Sequence, residues 1–283
     1  MQLEDDFTDI IKKSRNGQGL SVADLAKKSG VDAGLITELE RGRRTPSKEE
    51  VEAIATGLGL RLSPLDAIAR QIWVPAETAA SVTQVETIHG DIGGYEVKGY
   101  VLYDTEAREA VLIDTGYNAE AVLGFLEDRS LQLKAVCLTH GHSDHAGKLD
   151  QLLARWSVPV YLGEGDRSLA PWLPSKDKLH KPDEGRTVPV GRFVVECMLT
   201  PGHTPGGMCY RVRTETDDIC FVGDTLFAGS IGRANPFSLY PIHLESVQQR
   251  VLKLPDRTIL FPGHGPATTV AEEFQHNPFA VDR

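Results

Sequence analysis

The sequence predicts an α+β protein in which a small all-α domain precedes a larger domain of strands and helices. The chain has 283 residues, of which 41% are hydrophobic, and this allows a packed core in each of two domains. Apolar residues at helical spacing dominate the first 70 residues, whereas strand-like runs ending in glycine-containing turns recur further along. We therefore expect a helical domain at 1–70, a linker at 71–82 and a mixed domain at 83–283.

The first domain contains two helices that are predicted to cross through a tight turn. Residues 20–31 are typical of a capped helix, because Ser21 and Asp24 have the spacing of a capping box and Gly30 supplies a stop. A second helix is expected over residues 35–41. This pattern resembles phage-repressor-type (Cro-like) helix-turn-helix domains over about residues 7–70.

The resemblance implies DNA contacts from the second helix and the basic loop after it, at Thr37, Arg41, Arg43 and Arg44. However, residues 32–34, which open that helix, are Asp-Ala-Gly and are poor readers of base edges. Residues 1–70 also hold eleven Lys or Arg against twelve Asp or Glu, so an overall basic footprint is lacking. Two uses stay open: phosphate contacts with DNA, or a module that forms a homodimer or docks a partner.

Four metal-capable side chains lie within six residues of the second domain, at His140, His142, Asp144 and His145. A buried strand is predicted before them, at 131–138, and a helix after them, at 147–156. Loops between a strand and a helix are where α/β enzymes commonly carry their chemistry. One such loop can supply ligands to two neighbouring metal ions.

Three further candidate ligands each follow a predicted strand. His203 comes after 193–199, Asp224 after 219–222 and His264 after 258–261, and glycine stands beside each of them. Glycine lets the backbone turn sharply and approach a metal closely. The remaining histidines, His89, His180, His243 and His276, are interpreted as ordinary surface or core residues.

The order of these ligands resembles the metallo-β-lactamase superfamily over roughly residues 83–283. The resemblance implies a four-layer αββα sandwich. It also implies one metal held by His140, His142 and His203, a second held by Asp144, His145 and His264, and Asp224 bridging the two. Imidazole and carboxylate ligands suit two divalent metal ions. Zinc is the first expectation, and iron and manganese fit the same ligands.

Within that superfamily, residues 223–233 and the Pro-Gly-His-Gly-Pro motif are similar to short bacterial glyoxalase II-like hydrolases. A true β-lactamase would be expected to carry Cys or Ser at position 224, so the Asp found there argues against that activity. Two departures affect the substrate: too few residues follow His264 for the C-terminal helical extension that binds glutathione, and Arg233 is followed by Ala-Asn-Pro-Phe.

The expected activity is hydrolysis of a small ester, thioester or lactone by a metal-bound hydroxide. Two cations roughly 3.5 Å apart lower the pKa of a shared water to about 7, so no Ser or Cys nucleophile is needed. Asp144 is the candidate catalytic residue that passes a proton to the leaving group. Asp114 matches a superfamily position that orients the ligands from behind.

Two other functions compete with this one. The chain could be a transcriptional regulator whose second domain senses or degrades its effector. It could also be a mononuclear iron enzyme like the persulfide dioxygenases, with metal held only by His140, His203 and Asp224. The intact His264 in Gly-His-Gly-Pro, in place of a His-Asp-Tyr ending, weighs against the dioxygenase.

Composition bears on the cellular setting. The four cysteines stand singly in apolar stretches without CxxC spacing, so we interpret them as buried free thiols that fit a reducing cytoplasm. The acidic start and the lack of a long apolar run predict a cytoplasmic protein without a membrane partner. The net charge of -10 gives no whole-protein attraction to nucleic acid or to anionic lipid.

Overall fold

The computed structural model describes residues 2–76, 84–169, 178–214 and 218–281. Half of the predicted linker, from residue 77 to 82, and the predicted start of the second domain at 83 lie outside the described residues.

Five helices form the N-terminal domain. They are α1 Phe7–Gly17, α2 Val22–Ser29, α3 Ala33–Glu40, α4 Lys48–Leu58 and α5 Leu62–Ala69. The capping box at the start of α2 is confirmed, and Gly30 ends that helix with a left-handed backbone, φ 74°. Helix α3 begins two residues earlier than predicted, because the Asp32 side chain caps it by accepting from the amides of Gly34 and Leu35.

Two six-stranded sheets and a short hairpin form the second domain. The first sheet has the order β1-β2-β3-β4-β5-β6, and its strands are Val85–Ile92, Tyr95–Asp104, Glu109–Ile113, Gln132–Cys137, Val160–Tyr161 and Leu179–His180. The second sheet has the order β14-β13-β10-β9-β8-β7. Its strands, from β7 to β10 and then β13 and β14, are Thr187–Val190, Phe193–Leu199, Met208–Arg213, Asp218–Gly223, Ile259–Pro262 and Thr268–Thr269. The hairpin pairs β11 Leu226–Phe227 with β12 Ser230–Ile231.

Helices cover the outer face of each sheet. These are α6 Ala119–Asp128, α7 Ser143–Ala146 and α8 Leu149–Arg155 on the first sheet, and α9 Tyr240–Gln249 and α10 Val270–His276 on the second. Strand β10 shows how the layers arise: Ile219 and Phe221 enter the core between the sheets, whereas Cys220 and Val222 enter the core under α9 and α10. The predicted four-layer αββα sandwich is confirmed.

The helical domain packs directly on the second domain. Its apolar residues belong to the same core cluster as the outer face of the second sheet. The hydroxyl groups of Ser14 and Tyr240 lie 3.1 Å apart, and the backbone amide of Arg61 donates to the carbonyl oxygen of Pro278 at 2.9 Å. Gly17 faces the Tyr240 ring so closely that a Cβ there would lie 2.4 Å from it. This packing fixes where α1 lies relative to the ligand loops.

All four cysteines are buried free thiols, as predicted. None of the helices in the described part of the chain is both long enough and apolar enough to span a lipid bilayer.

Candidate metal centre

Four loops bring the predicted ligands together at one edge of the sandwich. The loop with His140, His142, Asp144 and His145 follows β4 of the first sheet, while His203, Asp224 and His264 follow β8, β10 and β13 of the second. All seven side chains that the sequence singled out reach the same place. The spacing along the chain gave no distance between these loops; the stacking of the two sheets sets it.

Three histidines form a first group. One ring nitrogen from each of His140, His142 and His203 lies within 4.8 Å of the others. The Nε2 atom of His203 is 3.0 Å from Nδ1 of His142, and the His140 ring centroid is 4.7 Å from both of the other rings. Three converging imidazole nitrogens are a donor set that suits a divalent transition-metal ion.

A second group lies beside the first and contains His145, Asp144 and His264. The Nε2 atoms of His145 and His264 are 3.4 Å apart. Asp144 directs Oδ2 at both, 3.6 Å from Nε2 of His145 and 3.4 Å from Nε2 of His264. This mixed nitrogen and oxygen set is the one expected for the second metal.

Asp224 lies between the two groups and offers one oxygen to each. Its Oδ1 is 3.2 Å from Nε2 of His145 and 3.7 Å from Nε2 of His264, and its Oδ2 is 3.5 Å from Nε2 of His203. A single carboxylate is therefore placed where a bridging ligand would be needed.

Hydrogen bonds outside the centre orient four of the rings. In each of these rings Nδ1 lies close to an oxygen. The pairs are His140 with Thr139 Oγ1 at 3.1 Å, His145 with Asp114 Oδ2 at 2.8 Å, His203 with the Arg233 carbonyl at 2.8 Å and His264 with the Glu96 carbonyl at 2.6 Å. A ring that donates from Nδ1 has its lone pair on Nε2, which points inward in all four. The outer contacts thus select the tautomer that can bind a metal.

Asp114 is the hub of these outer contacts. Its two oxygens accept from the Thr139 amide at 2.7 Å, from the Thr139 hydroxyl at 2.7 Å and from His145 Nδ1 at 2.8 Å. Because the Thr139 hydroxyl in turn faces Nδ1 of His140, Asp114 influences one histidine of each group. Its backbone has a left-handed φ of 54°.

The electrostatics of the centre put protons where metals would bind. Burial acts to raise the pKa of Asp224, but His264 and His145 outweigh it and hold that pKa well below its usual range. Burial acts to lower the pKa of His264, but Asp224 and Asp144 raise it to about 9. In His203 burial dominates and lowers the pKa to about 4. The carboxylates are therefore ionised. His264 carries a proton at neutral pH, and a cation that binds this ring must displace that proton.

Two buried atoms of this cluster are placed as ligands of a cation would be. His140 Nε2 and Asp224 Oδ1 are buried and have no hydrogen-bond partner of acceptable geometry among the described residues. A buried polar atom without a partner costs about 1–3 kcal/mol. Gly263 also leaves the space that the cluster needs, since a Cβ there would lie 2.3 Å from His145 Cε1 and 2.5 Å from Asp224 Oδ1. The donor set, the unpaired atoms and the space fit bound metal.

Sequence reasoning missed Asp166, which ties two ligand loops together. This fully buried carboxylate accepts from the amide of Gly141 at 2.9 Å and from the Thr204 hydroxyl and the Gly206 amide at 2.7 Å each. It therefore joins the His140–His142 turn to the turn that carries His203. Gly-Glu-Gly-Asp has no spacing that identifies a loop anchor, so no signal in the sequence pointed to it.

The cleft above the cluster is walled by the N-terminal domain. It has a volume of about 360 Å³, and the residues that line it include His203, Asp224, His264 and Arg233 on one side and residues of α1 and its N-terminal approach on the other. A larger groove of about 540 Å³ lies between the helical domain and α9, but acids, bases and predicted ligands are absent from its described lining. The smaller cleft is therefore the one that can receive a substrate.

The predicted DNA-contacting residues lie away from this cleft, and three of the four have partners within the chain. Thr37 donates its hydroxyl to the Ala33 carbonyl at 2.9 Å. Arg43 pairs with Glu38 at 3.1 Å, and Arg44 binds both oxygens of Glu50 at 2.8 and 2.9 Å. Arg41 is exposed and makes no ion pair or side-chain hydrogen bond with the described residues.

Each of the two parts of the chain matches a known protein family. Residues 97–264 match the metallo-beta-lactamase superfamily and residues 11–65 match a helix-turn-helix family. The chain is 34% identical to hydroxyacylglutathione hydrolase GloC of Haemophilus influenzae, over 63% of this chain and 90% of GloC.

Two solved structures share the second domain. The BLEG-1 B3 metallo-beta-lactamase is 33% identical, with a TM-score of 0.61, over 69% of this chain and 98% of BLEG-1. TTHA1623 in a di-iron-bound form is 31% identical, with a TM-score of 0.58, over 68% of this chain and 99% of TTHA1623. All seven candidate ligands lie within residues 97–264, so the chain belongs to the metallo-beta-lactamase superfamily and carries a helix-turn-helix domain before it.

Proposed function

We propose that the chain is a metal-dependent hydrolase of a small ester, thioester or lactone. The observation that carries the proposal is the placement of Asp224, with one oxygen facing each of two donor groups. That arrangement supports two metals, with His140, His142 and His203 as ligands of one and Asp144, His145 and His264 as ligands of the other. When bound, two divalent ions would polarise the scissile carbonyl and lower the pKa of a water molecule.

The residues of the chain would contribute orientation and proton transfer. Asp114 would hold His145 in the tautomer that binds metal. The Asp144 side chain is 23% exposed, and its histidine neighbours lower its pKa although burial acts to raise it, so the carboxylate is ionised. Asp144 can therefore take a proton from water and deliver it to the leaving oxygen or sulfur as the acyl bond breaks.

The similarity to GloC supports a thioester, and the similarity to BLEG-1 requires that a β-lactam be tested beside it. The di-iron form of TTHA1623 supports iron as well as zinc as the resident metal. We propose residues 83–283 as the hydrolase domain and 1–70 as the helix-turn-helix domain, joined by 71–82.

Metal analysis and a substrate panel test the proposal together. Metal per chain would be measured by mass spectrometry on the purified protein, and hydrolysis would be followed on an ester, a thioester, a lactone and a cephalosporin. Oxygen uptake with glutathione persulfide completes the panel. Two metals with thioester, ester or lactone hydrolysis are expected, whereas one iron with oxygen uptake would establish the dioxygenase instead.

Asp224→Ala should remove both the metals and the activity, because one change takes an oxygen from each group. The matched control is Asp150→Ala, an exposed aspartate on α8 outside the cluster. Unchanged metal content and turnover in Asp224→Ala would refute the bridging role.

One contact favours a second candidate function, regulation of transcription by the cleft. The guanidinium of Arg15 on α1 binds both carboxylate oxygens of Glu40 at the end of α3, at 2.5 and 2.8 Å, and both side chains are buried. Helix α1 therefore contacts both the cleft and the helix expected to face DNA. Footprinting of the chain's own upstream DNA at physiological salt, with and without a hydrolysed substrate, is the test. Weak binding that ignores sequence and substrate would count against regulation.

A further inference from the structure

One face of helix α1 is polar and points into the metal cleft, although this helix belongs to the helix-turn-helix domain. Four of its residues that line the cleft are spaced i, i+3, i+4 and i+7 and therefore share one face: Asp9, Lys12, Lys13 and Asn16. The opposite face enters the shared core through Phe7, Ile10 and Ile11. In a free helical domain this polar face would meet only water, whereas here it faces His203, Asp224 and His264.

The polar face is held firmly against the second domain. Lys13 Nζ donates to the carbonyl of Ile231 at 2.7 Å, forms an ion pair with Asp5 and lies 5.5 Å from the centroid of the Phe227 ring. The next residue along the helix, Ser14, contacts Tyr240. The polar face of α1 is therefore already one side of the cleft in the folded protein, before any substrate binds.

Two cations line this cleft beside Lys13. Within the described ranges, the side chains of Lys12 on α1 and Arg233 on the opposite wall make neither a hydrogen bond nor an ion pair. Lys13, in contrast, is neutralised by Asp5.

The acids of the cleft do not neutralise these two cations. Asp5 is used by Lys13, and Asp9 accepts from the Asp6 amide at 3.3 Å in the cap of α1. Glu4 lies beside Gly265, at the end of the cleft where His264 stands. Neither Lys12 nor Arg233 is therefore paired with a carboxylate of the described residues, and both side chains stay available to a ligand.

We infer that the polar face of α1 is the substrate-recognition wall of the metal cleft, and that Lys12 and Arg233 bind an anionic group, such as a carboxylate, of the acyl substrate. This inference rests on the proposed hydrolase function and names its substrate class. It also places specificity in the N-terminal domain, on residues that the helix-turn-helix pattern would assign to solvent.

Three small thioesters that differ in charge test the inference. They are S-acetylmercaptoacetate, which is anionic, its neutral amide, and acetylthiocholine, which is cationic; all release a thiol that can be assayed by colour. The variants are Lys12→Met, Arg233→Met and the double variant. Lys27→Met on the exposed surface of α2 is the matched control.

The native chain should prefer the anionic over the neutral thioester by about tenfold in kcat/KM, chiefly through KM, as two partly exposed ion pairs allow. Each single variant should lose about threefold of this preference, and the double variant should lose all of it. Metal content should stay unchanged in every variant, and Lys27→Met should keep the native preference. Equal hydrolysis of the charged and neutral probes by the native chain, or a preference that survives in the double variant, would overturn the inference.

A binding measurement separates this inference from the proposed function. The thioether S-ethylmercaptoacetate and its amide cannot be hydrolysed, and ligand-observed NMR gives their Kd values on metal-free protein. Tighter binding of the anion, lost in the double variant, supports the wall even if no thioester is cleaved, which would refute the hydrolase alone. Equal binding of the two thioethers by the native chain overturns the wall whatever the activity.

Discussion

Replacing Asp114 by Asn should weaken metal binding without removing any proposed ligand. The carboxylate accepts three hydrogen bonds, two from Thr139 and one from His145. An amide at this position has one accepting oxygen, and its NH2 group can only donate. If that group faces His145, the ring must accept at Nδ1, and its proton moves to Nε2, where the metal lone pair is needed.

The size of the effect follows from the contacts that are lost. Loss of an outer partner of a metal-bound histidine typically reduces affinity 10- to 100-fold, or about 1.4–2.7 kcal/mol. We expect the larger loss of metal affinity at the site that contains His145. The loss should be smaller at the site that contains His140, because Asp114 reaches that ring only through Thr139. A buried donor left unpaired costs a further 1–3 kcal/mol or so of folding free energy.

Competition with a chelator of known zinc affinity would measure both sites, and urea unfolding of the metal-free protein would measure stability. Asp128→Asn, at the exposed end of α6, is the matched control. A folded Asp114→Asn protein with both zinc affinities within about threefold of the native values would refute the orienting role, because it would lie below the effect expected for an outer partner.

Three further predictions follow from burial and charge around the centre. Because the pKa of His264 is raised to about 9 in the metal-free chain, zinc binding at pH 7.5 should release protons and should tighten as the pH rises; calorimetry in buffers of different ionisation enthalpy would show it, and zero release would contradict it. Burial raises the pKa of Glu273 from 4.5 to about 7, so its contribution to stability is fully present below pH 4.5 and is lost as the pH rises toward 7. Glu273→Gln should remove that loss, roughly 3 kcal/mol, from urea unfolding compared at pH 4.5 and 7.5, and identical pH profiles would refute it. Gly263→Ala should abolish metal binding because its Cβ would lie 2.3 Å from His145 Cε1, whereas Gly124→Ala, on exposed α6 with no atom within 4 Å, should bind metal normally.

The His/Asp cluster was predictable because its signals are local. A strand, a turn with glycine and a ligand form one short segment, and four such segments name His140, His142, Asp144, His145, His203, Asp224 and His264 without reference to one another. The helix-turn-helix domain was predictable for the same reason, since caps and glycine stops act within one or two turns.

The DNA-contact residues were harder to assess from sequence. Arg43 and Arg44 form a basic run along the chain, yet in space each meets a carboxylate, that of Glu38 or of Glu50. Exposed pairs of this kind are weak, typically about 1 kcal/mol or less, so DNA phosphates can still compete for these arginines. Their use in DNA binding stays a prediction.

By itself the sequence determined the types and order of the candidate ligands and the two domain classes, because these depend on periodicity and turn chemistry over a few residues. Only the tertiary structure decided that Asp166 ties two ligand loops together and that Lys12 faces the metal cleft. The helical core buries one face of α1, but nothing along the chain specifies what the other face meets. That depends on packing between residues more than 200 positions apart, such as Lys13 with Ile231 and Ser14 with Tyr240.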